Sequence, residues 1–209
     1  MKLPIFSKNH GRDAGAMFLV VGLGNPGEEY AGTRHNAGFM AVRRFNGALE
    51  ASRQRRRYEG RWLEGALCGI PVATLMPMTF MNRSGDAVEQ AASRKHIPAE
   101  RIIVVHDDMD FPFGVVRSRL GGGSGGHRGL DSITRKLGTA DYCRVRIGIG
   151  RPDNPAENPR DWVLKPFTQP EQELAGMLDT AAACIKTIIN DGIEAAMNRF
   201  NRRGDQALP

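Results

Sequence analysis

Apolar residues recur along this chain with two different spacings, and the spacings predict strands and helices in turn. Residues 18–23 form a continuous apolar run, which is typical of a strand in the middle of a sheet that is covered on both faces. Residues 101–105 repeat that pattern. Shorter or alternating runs predict further strands at 61–67, 72–76, 115–120 and 142–150.

Helical spacing appears between these strands. Phe39, Val42 and Phe45 fall on one face of a helix, and the side chain of Asn36 is predicted to cap it. Further helices are predicted from residue 84, at 130–137, at 161–167, from 174 to a break at 191–192, and at 193–200. Residues 52–57 and 151–160 are interpreted as connectors, the first basic and the second mobile. Strands that alternate with helices at this density predict an α/β sandwich with a mixed, largely parallel central sheet.

The length of 209 residues fits one domain, which we assign to residues 17–201. Residues 1–16 are polar and lack periodicity, so they are predicted to be a disordered N-terminal extension, and 202–209 a C-terminal tail. No apolar run approaches the length that a bilayer requires. We therefore expect a protein without a membrane anchor.

The charge favours a polyanionic partner. Lys and Arg total 29 against 23 Asp and Glu, a net charge of +6, which is typical of nucleic-acid binding, although a solvated basic face would also explain it. The three cysteines are far apart and show no CxxC spacing, so neither a disulfide framework nor a zinc site is indicated. A reducing cytoplasm and no metal or cofactor are expected.

Polar side chains follow the ends of several predicted strands. In α/β folds, sites gather where buried strands end, so this convergence favours an enzyme. The residues concerned are Asn25 and His35 after the first strand, Asn82 after the run MPMTF, His106 and Asp107 after IIVV, and His127 and Arg128 in the glycine-rich loop.

Five histidines compete for the role of general base. His10 lies in the N-terminal extension and His96 near the end of a surface helix, so both are expected to be solvated. His106 ends a buried strand, where it is either bonded to backbone or catalytic, and His127 either contacts a ligand or holds its loop. His35, at a loop-to-helix junction, is expected to be the most exposed and preorganised, and it ranks first.

A neutral histidine that acts on water needs a carboxylate to fix its tautomer and stabilise the imidazolium. Asp107 is the best candidate, since a role in a turn suits Asp108 and Asp110 better. Asn25 and Asn82 would supply amide donors to a substrate carbonyl or oxyanion. Both would be equally well explained as plain turn and cap residues.

Two other enzyme classes are less consistent with the sequence. GLGNPG satisfies the G-x-G-x-x-G pattern of dinucleotide sites, but Pro26 removes a backbone donor and no acidic residue ends a second strand at the usual distance. A serine esterase would carry a G-x-S-x-G elbow, which is absent. Ser84 and Ser124 still leave a spatially assembled serine site open.

Five segments, in this order, resemble the bacterial-type peptidyl-tRNA hydrolases: GLGNPGEEYAGTRHNAG, PMTFMNRSG, VVHDDMDFPFG, LGGGSGGHRGL and YCRVRIGIG. The resemblance covers residues 18–200. It implies a monomeric, three-layer α/β/α enzyme that hydrolyses the ester between a peptide and the ribose of tRNA. It also implies contact with the acceptor stem and 3′ end, and recycling of tRNA in the cytoplasm.

The resemblance implies roles for particular residues. His35 is similar to the catalytic base and Asp107 to its partner, while Asn25 and Asn82 are similar to the asparagines that position substrate and water. The implied substrate or tRNA contacts are Tyr30, Phe80, Met81, Asn82, Arg117, Arg119, His127, Arg128 and Arg146.

The chain departs from the family at one position of the glycine-rich loop. The family usually has GGHNG, and here Arg128 follows the histidine. Arg128 keeps donors but loses an acceptor and adds charge. It could bind a phosphate of the acceptor end, swing out and leave a wider pocket, or have no effect on a mobile loop. A non-catalytic RNA-binding protein is the alternative function, but it would predict loss of His35, Asp107 or Asn25, and all three are present.

Overall fold

Strands and helices alternate through most of the computed structural model, which describes residues 16–51 and 53–201. The strands are β1 (Phe18–Gly22), β2 (Glu50–Ala51), β3 (Arg55–Arg57), β4 (Gly60–Leu67), β5 (Ile70–Pro77), β6 (Ile102–Asp108), β7 (Val116–Leu120) and β8 (Cys143–Gly148). The helices are α1 (Ala37–Asn46), α2 (Ser84–Lys95), α3 (Arg128–Leu137), α4 (Pro159–Leu164), α5 (Glu171–Asp191) and α6 (Ile193–Phe200). The predicted N-terminal extension, apart from Ala16, and the predicted C-terminal tail lie outside the described residues.

All eight strands join one sheet in the order β2-β4-β5-β1-β6-β8-β7, and β3 also pairs with β4. The central strands β5, β1, β6 and β8 run parallel, while β7 and the β2, β3 and β4 margin pair antiparallel. The predicted mixed sheet is therefore confirmed, with its parallel strands at the centre. Since parallel strands share a direction, the loops after β1, β5 and β6 leave from the same edge of the sheet.

Helices cover both faces of the sheet. Along β1, Phe18 and Val20 belong to the apolar cluster that includes α1, α5 and α6, whereas Leu19 and Val21 belong to the cluster of α2 and α3. Successive side chains of a strand point to opposite faces, so those of β1 pack alternately into two cores. This explains why the whole run is apolar. Within the two described ranges, no helix is long and apolar enough to cross a membrane.

Residues 55–57, predicted as part of a basic connector, form β3 instead. Tyr58 and Glu59 have φ of 51° and 50°, and Arg57 pairs with Gly60 across them. Positive φ at both central residues is the requirement of a type I′ hairpin turn, which directs β3 back along β4. Arginine has no strong preference for strands, so pairing with β4, rather than local propensity, decides this segment.

Helix α1 crosses the end of β1 at unusually short range. A Cβ atom built on Gly38 would lie 2.3 Å from the carbonyl oxygen of Val105 and 2.6 Å from the backbone of Leu23. A Cβ on Gly22 would lie 2.6 Å from the carbonyl oxygen of Gly38. Only glycine allows this approach, and it brings the residues just before α1 against the end of β6.

Gly38→Ala is expected to lower the free energy of unfolding by about 1–3 kcal/mol, because the new methyl group overlaps backbone that cannot move freely. Helix propensity alone would favour alanine by about 1 kcal/mol. Urea unfolding measures the change, and Gly47→Ala is the control, since its Cβ would meet only the carbonyl oxygen of Arg44 at 3.4 Å. Equal stability of both variants would contradict the close crossing.

Candidate active site

The loop after β1 is held by a reciprocal pair of hydrogen bonds. The backbone N–H of Asn25 donates to Oδ1 of Asn36 at 2.8 Å, and Nδ2 of Asn36 donates to the carbonyl oxygen of Asn25 at 3.0 Å. The predicted capping of α1 by Asn36 is therefore wrong, because its side chain bonds to the loop instead. The Oδ1 atom of Asn25 accepts from the N–H of Met81 at 2.9 Å, so the free hydrogens of this amide are on Nδ2.

Asp107, at the end of β6, lies at the centre of the polar cluster and is only 4% exposed. Nδ1 of His35 lies 2.9 Å from its Oδ1 atom and 3.0 Å from Oδ2. Nε2 of His127 lies 3.0 Å from Oδ1. A buried carboxylate requires such donors, and here two imidazoles from different loops supply them.

The backbone of α3 fixes the tautomer of His127. Its Nδ1 atom accepts from the N–H groups of Gly129 at 3.1 Å and Leu130 at 3.4 Å, so the proton of the neutral ring is on Nε2 and is donated to Asp107. Both ring nitrogens are thus engaged within the protein. His127 holds its loop, which was one of its two predicted alternatives, and no ring nitrogen remains for a hydrogen bond to a substrate.

His35 differs because only one of its nitrogens is used. Donation from Nδ1 to Asp107 leaves the Nε2 lone pair available as a base. The side chain is 14% exposed, whereas His96 lies in an exposed position, so the expectation that His35 is the most exposed histidine is wrong. Its position at the end of the loop is set by the glycine contacts between α1 and β1.

His106 is a structural histidine bonded to backbone. It is 3% exposed, and its Nδ1 lies 2.7 Å from the carbonyl oxygen of Asp107, to which it donates. Burial, reinforced by the neighbouring His127, lowers the pKa of His106 to about 3. The ring is therefore neutral at physiological pH.

Burial and neighbouring charges shift the pKa values of Asp107 and His35 in opposite directions. Burial raises the pKa of the Asp107 carboxyl, but the charges and hydrogen bonds of His35 and His127 outweigh it, so the net pKa is below the ordinary value. Burial lowers the pKa of His35, but the charge and hydrogen bond of Asp107 outweigh it, so the net pKa is raised. The positive charge of Arg128 opposes this rise. Asp107 is thus ionised, and His35 is a stronger base than free imidazole.

A cavity of about 500 Å³ opens beside this cluster. It brings together six of the predicted residues, namely His35, Asp107, Arg119, His127, Arg128 and Arg146. The remaining predicted residues do not line it, and these are Asn25, Tyr30, Phe80, Met81, Asn82 and Arg117. Five of the latter lie on the loops after β1 and β5, so the predicted residues fall into two neighbouring groups.

The three predicted residues that follow β5, at positions 80–82, differ in their exposure to solvent. Met81 is 4% exposed and belongs to the apolar core, where its Sδ atom lies beneath Gly129 at the start of α3. Phe80 is 61% exposed, and Asn82 lies in an exposed position. Met81 therefore joins Asn25 to α3 through packing, while its two neighbours are accessible to a ligand.

The arginines of β7 and β8 among the predicted tRNA contacts, Arg117, Arg119 and Arg146, have different surroundings. Arg146 is paired with Asp108 at 2.7 Å, and both Arg146 and Arg117 stack on the ring of Phe111, at 4.4 and 5.0 Å. Arg119 is exposed and has no carboxylate partner among the described residues. Arg117 also lacks a carboxylate partner among the described residues, so Arg119 differs from it chiefly in being more exposed.

Sequence reasoning missed two buried arginines that hold the site. Arg144 is 3% exposed and donates to the carbonyl oxygens of Gly122 and Gly123 at 2.5 and 2.6 Å, which fixes the glycine-rich loop. Arg34 stacks on Trp162 at 3.8 Å and donates to the carbonyl oxygen of Pro166 at 2.7 Å, which ties the α4 segment to the residue before His35. The polar alternation in YCRVRIGIG was a signal for Arg144, but no pattern indicated Arg34.

His35, Asp107 and His127 are close enough to hold a metal ion, since one ligand atom of each lies within 4.8 Å of the others. The hydrogen bonds argue against that use. A metal on Nε2 of His127 would move the ring proton to Nδ1, where it would face the N–H groups of Gly129 and Leu130. The cluster is better suited to holding protons than to holding a cation.

An α/β sheet with an ionised, buried aspartate and a histidine that keeps one free nitrogen defines an enzyme suited to activating water. A family model described as peptidyl-tRNA hydrolase matches residues 19–207. The peptidyl-tRNA hydrolase of Carboxydothermus hydrogenoformans is 44% identical over 189 residues, covering 90% of this chain and 100% of that protein. That of Frankia casuarinae is 46% identical over 185 residues, covering 88% and 93%.

Solved structures agree with the sequence matches. The crystal structure of peptidyl-tRNA hydrolase from Acinetobacter baumannii superimposes with a TM-score of 0.80 at 37% identity, covering 90% of this chain and 95% of that one. The chain therefore belongs to the peptidyl-tRNA hydrolase family. The predicted fold and enzyme class are confirmed, and a non-catalytic RNA-binding protein is not favoured.

The protonation states generate a prediction for nitrogen NMR of the histidine rings. His35 is expected to titrate above the ordinary histidine pKa of about 6.5, and His106 to stay neutral down to about pH 3. In Asp107→Asn the pKa of His35 should fall below the ordinary value, since burial and Arg128 then act unopposed. An unchanged His35 titration in that variant would contradict the assigned pair.

Proposed function

We propose that this chain hydrolyses the ester bond of peptidyl-tRNA with water activated by His35. The observation that carries the proposal is the bond from Nδ1 of His35 to the buried Asp107, which leaves Nε2 unprotonated and therefore basic. Family membership supplies the substrate class, and the site supplies a suitable base. The products are free tRNA and a peptide with a new carboxylate.

In the proposed reaction, Nε2 of His35 takes a proton from water while the water oxygen bonds to the ester carbonyl carbon. The imidazolium that forms is stabilised by the carboxylate of Asp107 at 2.9 Å. The tetrahedral intermediate then collapses, the bond to the ribose oxygen breaks, and the imidazolium returns its proton to that oxygen. His127 acts as a positioning residue, because its donation from Nε2 keeps Asp107 in place.

Amide donors are available for the charge that develops on the carbonyl oxygen. Asn25 has its oxygen committed to Met81, so its remaining donor is the Nδ2 group, held on a loop that Asn36 restrains. A donor that is already oriented stabilises an oxyanion at little reorganisation cost. Asn82 is exposed beside it and is proposed to orient the substrate or the water. Tyr30 and Phe80 offer aromatic surface to the peptide or the terminal base.

Binding of the tRNA is proposed to use the arginines of the β7 and β8 hairpin. Arg117 and Arg146 are register partners across the two strands, and Arg119 lies two residues further along β7. Side chains two apart on a strand share a face, so these cations form one row beside the catalytic cavity. An arginine fork suits phosphate, and each such contact makes affinity fall with salt.

Arg128 is proposed to contribute charge rather than structure. It is exposed at the first position of α3, lines the catalytic cavity, and has no carboxylate partner among the described residues. Its charge lowers the pKa of His35. This favours the active, neutral form of the base and leaves a guanidinium available for a phosphate of the acceptor end.

We infer a monomer that acts in the cytoplasm through one catalytic domain, residues 17–201. The single sheet supports one domain. The large apolar side chains that are exposed within the described residues lie on four different segments of the chain, namely Phe80, Leu120, Leu164 and Met197, and single exposed apolar side chains do not by themselves indicate a dimer interface. Three free cysteines suit a reducing compartment. We also propose that residues 151–167, which contain Pro152, Pro155 and Pro159, form a hinged lid.

His35→Ala should reduce kcat by about 10²–10⁴-fold, since it removes the general base, and should leave tRNA affinity nearly unchanged. Arg119→Ala should weaken tRNA binding and reduce the slope of log affinity against log salt by about 1. Release of free tRNA from an N-blocked aminoacyl-tRNA, with unblocked aminoacyl-tRNA as the negative substrate, measures turnover. Equal losses of affinity in both variants would mean that the roles are misassigned.

Arg128→Asn should move the acid limb of the profile of kcat/KM against pH to higher pH. The base must be neutral to act, and removal of the positive charge raises the pKa of His35. Arg160→Asn is the matched control, because Arg160 lines the same cavity but does not contribute to the shift of His35. A limb that stays in place in Arg128→Asn, or moves equally in both variants, would contradict this role.

A further inference from the structure

Much of the excess positive charge lies far from the predicted phosphate contacts, in a segment that we name the basic ribbon, residues 53–61. Its sequence RQRRRYEGR has five arginines and one glutamate, so it contributes +4 of the net charge of +6. It consists of β3, its hairpin turn and the start of β4. Arg53, Arg55, Arg56 and Arg57 are all exposed.

Protection of a sheet edge does not explain this composition. Charged residues on an edge strand prevent aggregation, and either sign serves that purpose. Here, however, Arg56 is the register partner of Arg61 across the two strands. Like charges in that position destabilise the pair. Burial and the charge of Arg61 also lower the pKa of Arg43, so a third cation adds to the repulsion.

The face of the basic ribbon that lies beside α2 carries groups that suit an RNA backbone. Arg57 and Tyr58 line a groove with Gln90, Arg94 and Lys95 of α2. The guanidinium of Arg57 lies 5.4 Å from the centroid of the Tyr58 ring. Lys95 is paired with Glu64, which leaves Arg57 and Arg94 to supply most of the positive charge. Cations beside an amide side chain are usual components of sites for the nucleic-acid backbone.

The hairpin turn of the basic ribbon lies at the edge of the sheet from which the loops after β1, β5 and β6 leave. The N–H of Met78 donates to the carbonyl oxygen of Glu59 at 2.8 Å, and three residues later Met81 bonds to Asn25. In the strand order, β3 and β7 lie on opposite sides of the catalytic strands β1 and β6. Six strand spacings separate β3 from β7, which is about 29 Å. The catalytic site therefore lies between two basic flanks.

We propose that the basic ribbon is a second RNA-binding surface, which contacts phosphates of the double-stranded body of the same tRNA whose 3′ end enters the catalytic cavity. The proposal rests on the proposed function for the identity of the RNA. Phosphate binding would relieve the repulsion between Arg56 and Arg61, which the free protein retains. The row of Arg117, Arg119 and Arg146 would serve the other flank of the cleft.

The test compares two triple variants with the same loss of charge. Arg55→Gln/Arg56→Gln/Arg57→Gln alters the basic ribbon, while Arg135→Gln/Lys136→Gln/Arg199→Gln alters exposed cations on α3 and α6. Each is assayed on a full-length N-blocked aminoacyl-tRNA and on the N-blocked aminoacyl ester of a CCA trinucleotide. The first variant should raise KM about tenfold for the tRNA and reduce the salt slope by up to about 3. Its kcat, and both parameters for the trinucleotide ester, should not change.

Each alternative result overturns the proposal in a recognisable way. Equal effects of the two triple variants would indicate only general charge attraction. A loss on the trinucleotide ester would place the basic ribbon against the 3′ end or an acidic peptide. Unchanged KM for the tRNA would exclude the contact altogether.

Two further measurements test the role of the basic ribbon even if a triple variant fails to fold or the ester is not cleaved. Arg56→Gln alone should raise Tm, because it removes the repulsion by Arg61, and it should still lower the salt slope by about 1. Fluorescence titration with deacylated tRNA reports binding whether or not the ester is cleaved. Failure of the wild type to cleave any substrate would therefore refute the proposed function, while this titration would still decide the role of the basic ribbon.

Discussion

The buried charge of Asp107 is the constraint on which the arrangement of the catalytic loops depends. An ionised carboxylate at 4% exposure is stable only if donors replace its lost hydration. Two imidazoles supply them, and each is held by a different part of the fold. The crossing of Gly38 over β1 positions His35, and the first turn of α3 orients His127. In the proposed mechanism, a change in either loop therefore acts on catalysis through the same carboxylate.

Arginines have two physical roles around this centre. Those that are buried donate to backbone carbonyls and hold loops, as Arg144 does for the glycine-rich loop and Arg34 for the segment after α4. Those that are exposed create positive potential near the cavity, and Asp108 neutralises only part of it by pairing with Arg146. A cleft with an excess of one sign of charge concentrates the opposite charge of its substrate. The excess of basic residues thus combines structural anchors with electrostatic attraction.

The hydrogen-bond pattern also limits which residues can meet the substrate. Asn36 and His127 are polar and close to the cavity, but their donors or acceptors are used within the protein, whereas Nε2 of His106 is buried without a hydrogen-bond partner among the described residues. Asn25 and His35 each keep one nitrogen that is not used in this way. Specific recognition by the first group would require breaking buried hydrogen bonds, which costs more free energy than a new contact returns. The side-chain atoms that can act on a substrate are therefore few, and they include the free nitrogens of Asn25 and His35.

The sequence by itself determined the α/β class and most of the strands and helices, which depend on local periodicity. It also predicted the pairing of His35 with Asp107, from polar residues that follow the ends of two buried strands. Tertiary structure alone decided that Arg55–Arg57 form a strand, that Asn36 restrains Asn25, and that His127 supports Asp107. In each case the partner lies on another segment, and for His127 and Asp107 the separation is 20 residues. Which polar atoms meet depends on how those segments approach in space, and hydrophobic patterning along the chain carries no information about that approach.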